Sequence, residues 1–217
     1  MLPCFFGKVD LDSIRFVVFC DAAWANNSDG KSQGGYMVGV TTEGLRGGRE
    51  GPFFPVQWES YRIKRRCSST LAAEAMSMNK AVSEMEYVQA QFNEMINPEF
   101  ELRAFLREKG PSRKGMIVTD CKSLYDVLEN GHGVPKCKRT GLEILCLRES
   151  QVECEHTFHW VCSEEMLSDT LTKVGADVYS LFRVLGESKT KLKEVSVELG
   201  LRRVGRDNIR MKRQLGQ

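Results

Sequence analysis

The side chains that could do chemistry in this sequence are four carboxylates: Asp21, Glu74, Asp120 and Asp169. Asp21 closes the apolar run Phe16-Val17-Val18-Phe19-Cys20, and Asp120 closes a second run, Met116-Ile117-Val118-Thr119. Glu74 falls in the first turns of a long helical pattern, and Asp169 in a short one further on. If the two apolar runs are neighbouring strands, their terminal aspartates sit side by side, at strand ends where ligand chemistry gathers in α/β sheets. Clustered carboxylates repel one another, and the cluster is tolerable when a cation offsets the charge. Ligands that are all oxygen favour Mg²⁺ or Mn²⁺ over zinc. Two such ions about 4 Å apart can activate a water and stabilise the leaving oxygen of a phosphodiester. The chain has 29 acidic residues, most of them on solvated faces. A single aspartate at a strand end is more often a cap or a turn former, so position alone marks only a candidate metal site.

The elements that must hold these acids follow from hydrophobic period. Residues 16–20 are β-branched and aromatic and predict a buried strand. Asn26-Asn27-Ser28-Asp29-Gly30 is turn chemistry. A second strand is expected over 35–41, a Gly-rich loop over 44–51 and a third strand over 53–59, which together make an antiparallel meander. The period then changes: Leu71, Ala75, Met78, Val82, Met85, Val88, Phe92 and Met95 recur every three or four residues, predicting a long amphipathic helix capped by Ser68, Ser69 and Thr70 and ended near Asn97-Pro98. Gly110-Pro111 marks a loop before a fourth strand at 116–119. A short helix is expected over 124–128 running into Asn130-Gly131, another over 140–149, a fifth strand over 155–161 and a last helix over 165–173. The order βββαβααβα implies an α/β architecture, a five-stranded mixed sheet flanked by helices.

The 217 residues suit one domain with an appendage, here a leader over 1–13, a domain over 14–175 and a basic tail over 176–217. No stretch approaches the roughly 18 apolar residues of a membrane span, and the opening Met1-Leu2-Pro3-Cys4-Phe5-Phe6 has no basic segment before its short apolar run. The eight cysteines are scattered and are expected to be reduced, placing the chain inside the cell, in cytoplasm or nucleus, rather than secreted. A net charge of +2 says little about nucleic acid, whereas the run Tyr61-Arg62-Ile63-Lys64-Arg65-Arg66 is locally basic.

Six segments in order, from Ile14 to Lys173, resemble the ribonuclease H domain of copia-type LTR retrotransposon polyproteins. They are Asp21-Ala22-Ala23-Trp24-Ala25, Gly30-Lys31-Ser32-Gln33-Gly34-Gly35-Tyr36, Gln57-Trp58-Glu59-Ser60, Ser69-Thr70-Leu71-Ala72-Ala73-Glu74-Ala75, Thr119-Asp120-Cys121-Lys122-Ser123-Leu124 and Leu167-Ser168-Asp169-Thr170-Leu171-Thr172-Lys173. Each motif alone is weak; six in sequence are strong. The resemblance implies a ribonuclease H-like fold, two Mg²⁺ or Mn²⁺ ions bound by Asp21, Glu74, Asp120 and Asp169, and endonucleolytic cleavage of the RNA strand of RNA–DNA hybrids. It also implies a preceding reverse transcriptase domain, which this chain lacks, and the chain is expected to be monomeric. Two departures stand out. Glu74 comes four residues after Thr70 where the family commonly has three. The loop Val161-Cys162-Ser163-Glu164 has none of the histidine of cellular ribonucleases H.

By this reading a hybrid lies across the carboxylate face. Ser68, Ser69 and Thr70 would hold a backbone phosphate at a helix N-terminus. Arg62, Lys64, Arg65 and Arg66 would neutralise further phosphates, with Lys122 and Ser123 beside Asp120, and recognition would be of shape and 2′-OH rather than base sequence. A solvated loop explains the basic run equally well.

Two other patterns are rejected. Residues 25–32 nearly spell a phosphate-binding loop but lack its first glycine, and the run from Gly34 to Val38 is strand-like. Cys154, His156, His159 and Cys162 resemble a zinc set, yet on a strand the two histidines point to opposite faces. The tail is basic through residues such as Lys189, Arg202 and Arg213, with a helix expected near Leu192 to Leu201; it is either a nucleic-acid arm or readthrough from a decayed element. The rival to the nuclease is an inactive remnant of the same fold that binds nucleic acid without cleaving it.

Overall fold

The computed structural model describes residues 11–107, 114–130 and 135–192. Residues 1–10 of the leader, the Gly110-Pro111 loop, Gly131 and the tail from 193 onward, with most of its expected helix, lie outside the described residues.

A five-stranded sheet organises the chain in the order β4-β2-β1-β5-β6. Its strands are β1 (Ile14–Ala23), β2 (Gln33–Thr42), β4 (Phe54–Arg62), β5 (Gly115–Thr119) and β6 (Thr157–Trp160). The meander β1-β2-β4 is antiparallel, while β5 and β6 join parallel to β1, so the sheet is mixed as expected. β1 lies at its centre. Alternation sends its apolar run to two different cores. Phe16, Val18 and Cys20 face Ala75, Met78, Ala81, Val82 and Met85 of the long helix α1 (Thr70–Ile96). Val17 and Phe19 face the other layer, with Leu45, Phe53, Met166 and Leu167. A strand covered on both faces reads as continuous apolar sequence, which is why residues 16–20 do not alternate.

Boundaries differ from the sequence reading where hydrogen bonding extends an element beyond its apolar residues. β2 begins at Gln33 because the β1–β2 ladder runs to Ala23↔Gln33. β4 runs to Arg62 on the ladder to Gln33. The short helix α3 spans Lys122–Asn130 and α4 spans Lys138–Cys154, both longer than their periodic cores. A one-and-a-half-turn helix α2 (Leu102–Arg107), seated by the buried Phe105, has no counterpart in the sequence reading. The expected final helix over 165–173 is instead a 3-10 turn at Ser163–Glu165 and the single turn α5 (Asp169–Thr172).

Beyond it the chain forms α6 (Tyr179–Glu187) and β7 (Lys189–Thr190), which pairs with the two-residue β3 (Gly51–Pro52). Among the described residues of the tail, the helix is α6, and the helix expected near Leu192 to Leu201 falls almost wholly outside them. Val184 and Leu192, each 1 % exposed, complete the second core over Phe53 and Leu45. Burying two such side chains is worth about 3–6 kcal/mol, against a total stability on the order of 5–15 kcal/mol. A chain ending at Gly175 is therefore expected to melt far below one ending at Leu192, measured by circular dichroism. Equal melting temperatures would show that residues 176–192 are dispensable.

Candidate functional site

Parallel pairing of β1 and β5 in the register Phe19↔Val118 brings Asp21 and Asp120 out on neighbouring strands, two residues beyond that pair. Asp120 follows β5 directly, as expected. Asp21 does not close β1: it is paired with Gly35 two residues before the strand ends. Glu74 is on the first turns of α1, whose neighbours Ala72, Ala73 and Ala75 are buried and let the helix lie close to the strand. Ser77 of the same helix donates to the Asp21 carbonyl at 2.8 Å. The result is that one carboxylate oxygen from each of Asp21, Glu74 and Asp120 lies within 4.8 Å of the others. Asp169, first residue of α5, is not in this trio but is joined to it by Lys173, whose ammonium is 2.7 Å from Asp169 Oδ1 and 3.5 Å from Asp21 Oδ1.

α5 reaches Asp21 because residue 35 is glycine. A Cβ there would come within 2.8 Å of Leu171 Cβ and Thr172 Cγ2. The close approach lets the Thr172 hydroxyl donate to Asp21 Oδ2. Asp120 is held from another side: Ser163 Oγ donates to its Oδ2 at 2.6 Å and Trp160 Nε1 to its carbonyl at 2.9 Å. Thr172 and Lys173 sit in the Leu-Thr-Lys segment singled out in the sequence, although no role attached to them there. Ser163, in the loop that lacks the histidine, carried no signal at all.

Electrostatics mark the cluster as a place that wants positive charge. Burial, and then the charges of Asp21 and Asp120, push the Glu74 carboxyl well above its ordinary range. Burial also raises Asp21, against the Thr172 hydrogen bond and Lys173. Asp169 is pushed up to about 6 by burial, with the Asp21 and Asp120 charges adding to it and Lys173 opposing. Burial disfavours the charge on Lys173, but its hydrogen bond to Asp169 and the charge of Asp21 hold it above the ordinary lysine range. Burial followed by the Glu74 charge raises the thiol of Cys121 to about 11, so it offers no thiolate nucleophile here. A buried, oxygen-only donor set with more negative charge than one lysine can offset fits hard divalent cations.

The basic side chains divide. Arg62 is ion-paired with Asp29, and Arg65 pairs with Glu143 of α4 at 2.5 Å. Lys64 and Arg66 are exposed. The N-cap of α1 is Ser69 alone, its hydroxyl accepting from the Ala72 N–H at 3.2 Å, which leaves Ser68 and Thr70 facing solvent. Trp24 Nε1 donates to the Cys67 carbonyl at 3.2 Å and so ties this loop to the end of β1. Lys122 is paired with Asp126 and lies 5.9 Å from the Trp160 ring, while exposed Ser123 is 3.4 Å from Cys121 Sγ.

The zinc set does not form. His156 precedes β6 rather than lying on it, and among the described residues it groups with Cys154 and Glu86, not with His159 and Cys162. Its Nδ1 accepts the Gly115 N–H at 3.0 Å, which assigns the proton to Nε2 and its hydrogen bond to Glu86 Oε1 at 3.0 Å. Ser150 Oγ and Cys154 Sγ converge on the same oxygen. A ring with both nitrogens so used has no lone pair for a metal; this is a polar staple joining α1, α4 and β5.

No protein-family model matches the sequence, and no curated protein matches it. Among solved structures the chain is similar to ribonuclease H1 of the halophilic archaeon Halobacterium salinarum NRC-1, at 12 % identity over 78 % of this chain and 98 % of that one, with a TM-score of 0.47. LC11-RNase H1, solved in complex with an RNA/DNA hybrid, is 11 % identical over 73 % and 94 % of the two chains, with a TM-score of 0.47. The PFV RNase H domain is 13 % identical over 81 % and 91 %, with a TM-score of 0.39. The sheet order β4-β2-β1-β5-β6 with its antiparallel meander, its two parallel additions and its flanking helices gives the chain a ribonuclease H-like fold.

Proposed function

We propose that this chain is a divalent-cation-dependent endonuclease that hydrolyses the RNA strand of RNA–DNA hybrids, derived from the polyprotein of a copia-type retrotransposon. The observation that carries this reading is the convergence of Asp21, Glu74 and Asp120 within 4.8 Å at the adjoining ends of β1, β5 and α1. Asp21, Glu74 and Asp120 would hold Mg²⁺ or Mn²⁺, with Asp169 beside them, and cations bound there would supply Lewis-acid stabilisation of charge developing on a phosphodiester. The chain's own residues do the rest. Thr172 and Ser163 fix the carboxylates of Asp21 and Asp120, and Lys173 offsets charge between Asp21 and Asp169. Ser68, Thr70, Lys64 and Arg66 face solvent on the loop and helix start leading to Glu74, where they would bind phosphates of the hybrid. Ser69 would contribute through its backbone rather than its committed hydroxyl. In this reading a reverse transcriptase domain is the natural companion, and the chain works as a monomer in a reducing intracellular compartment.

The alternative is an inactive remnant that binds without cutting. Retention of all four acids favours the enzyme, because a pure binding module gains nothing from buried carboxylates that repel one another. The test is cleavage of a labelled RNA–DNA hybrid with Mg²⁺ or Mn²⁺ and with chelator. RNA-strand cleavage only with metal supports the enzyme; a folded protein that binds hybrid but never cuts it establishes the remnant.

Binding makes a separate prediction. Replacing Arg62, Lys64, Arg65 and Arg66 by Ala is expected to lower the slope of log K against log salt by about 0.7–0.9 per lost phosphate contact. Since Arg62 and Arg65 are already paired, the Lys64→Ala/Arg66→Ala double variant should account for most of that change. An unchanged slope in the fourfold variant removes the loop from the interface.

A further inference from the structure

The single turn that carries Asp169 is pinned to the cluster from three sides. The Asn26 side-chain amide donates to the Thr172 carbonyl at 3.0 Å, the Ser60 hydroxyl donates to the Leu171 carbonyl, and the Thr172 hydroxyl donates to Asp21. Lys173 closes this turn, its N–H donating to the Asp169 carbonyl at 3.0 Å. Its backbone position is therefore set by contacts from the turn after β1 and from β4, not by the ion pairs of its own side chain. An i,i+4 ion pair on a free surface is weak and readily exchanged. Here the ammonium lies between Asp169 Oδ1 at 2.7 Å and Oδ1 of Asp21 at 3.5 Å, and Asp21 is only 1 % exposed. A cation shared by Asp21 and Asp169 would need these same oxygens, at about 2.0–2.1 Å for Mg²⁺. The group of carboxylates within 4.8 Å of one another, by contrast, is Asp21, Glu74 and Asp120 and does not include Asp169.

We propose that Lys173 takes the place of a second metal ion: the cluster binds one divalent cation at Asp21, Glu74 and Asp120, and the Lys173 ammonium supplies the second positive charge, between Asp21 and Asp169. This rests on the reading of the cluster as a cation site given above. With Asp21, Glu74, Asp120 and Asp169 all ionised, one divalent ion and one ammonium leave a single net negative charge. A second divalent ion beside the ammonium would make the cluster net positive, so it is opposed by charge as well as by space. The Lys173 side chain is 39 % exposed, so the ammonium is also open to a phosphate oxygen laid across the cluster.

The test titrates Mn²⁺ into the full chain at pH 7.5 without nucleic acid and counts bound ions by loss of the free-ion electron paramagnetic resonance signal. The parent is expected to take up one ion per chain. Lys173→Met keeps most of the stem and removes the charge. It should take up two ions, the second at least about tenfold more tightly than any second ion in the parent, a small part of the like-charge repulsion removed at this range. Lys173→Arg keeps the charge and should stay at one, and adding Asp169→Asn to Lys173→Met should return the count to one. Asp169→Asn alone should weaken the parent's single ion by less than about tenfold, the lower bound for disturbing even an outer partner of a ligand. That variant decides the matter if circular dichroism shows Lys173→Met to be unfolded. Two ions of comparable affinity in the parent, a single ion in folded Lys173→Met, or a larger loss in Asp169→Asn would overturn the assignment. No bound ion in any variant would overturn it together with the cation-site reading. The expected counts from a chain that never cuts a hybrid would leave the role of Lys173 standing and sink the nuclease.

Discussion

Asp120→Asn is expected to leave a folded protein that still binds an RNA–DNA hybrid but cuts it at least about 100-fold more slowly, since changing even the outer partners of a metal ligand commonly costs 10–100-fold. The substitution removes one negative charge from the trio with Asp21 and Glu74 and keeps the side-chain shape. Asp120 is the choice of the three because it is only half-buried, whereas Asp21 is 1 % and Glu74 6 % exposed and their replacement disturbs packing as well as charge. An asparagine oxygen can still accept from Ser163, so the loop after β6 keeps its anchor. Single-turnover cleavage with Mn²⁺, beside hybrid binding in chelator, separates the effects. A loss under about tenfold would take Asp120 out of the chemistry, because a direct ligand should exceed the lower bound for an outer one. Ser163→Ala, which frees Asp120 Oδ2 without removing it, should fall between parent and Asp120→Asn.

The metal-free protein should lose stability as pH rises from about 4 through about 6, and a divalent cation should restore it above that range. The sign follows from the carboxyls. Asp169 titrates at about 6 in the folded chain, and Asp21 and Glu74 are also raised, whereas in the unfolded chain such groups titrate near 4. An acid whose folded pKa is raised stabilises the fold fully below its unfolded value, and that contribution is lost as pH rises through the folded one. Glu86 works in the opposite sense: burial raises it, but hydrogen bonds led by His156 bring it below its ordinary value, so its contribution is lost only on acidification. A cation at 100 times its Kd adds about 2.7 kcal/mol, or roughly 5–11 °C in Tm at about 2–4 °C per kcal/mol for a domain of this size. Thermal melts at pH 5.5 and 7.5 with and without Mn²⁺ should show the larger metal shift at pH 7.5, since protons compete for the same oxygens at low pH. Asp21→Asn/Glu74→Gln should raise the metal-free Tm at pH 7.5 and shrink the metal shift. A metal-free Tm that is flat between pH 4 and 7, together with no Mn²⁺ shift, would rule out cation binding by this cluster.

The sequence by itself determined the local elements and most of the chemistry within them. The period-3.6 pattern of Leu71 to Met95 marks α1 nearly to its ends, the unbroken run 16–20 marks a strand covered on both faces, and Asp120 is indeed the residue after β5. These features are local because they depend on side-chain period and on caps a few residues away. Tertiary structure decided what stands beside what. Only the parallel pairing of β1 with β5, across almost a hundred residues of chain, places Asp21 next to Asp120; long loop closure costs little more than short closure, so sequence distance does not forecast such neighbours. Asp21 lies inside β1 because β2 continues to pair past it, and Asp169 stands off from the trio because Lys173 takes the space between. The basic run looks uniform in sequence, yet Asp29 and Glu143 neutralise two of its four cations, the second from 78 residues away. The layer from Tyr179 to Leu192 has too short a periodic pattern to be recognised, and it becomes necessary only because Val17, Phe19 and Phe53 leave an apolar face that something must cover.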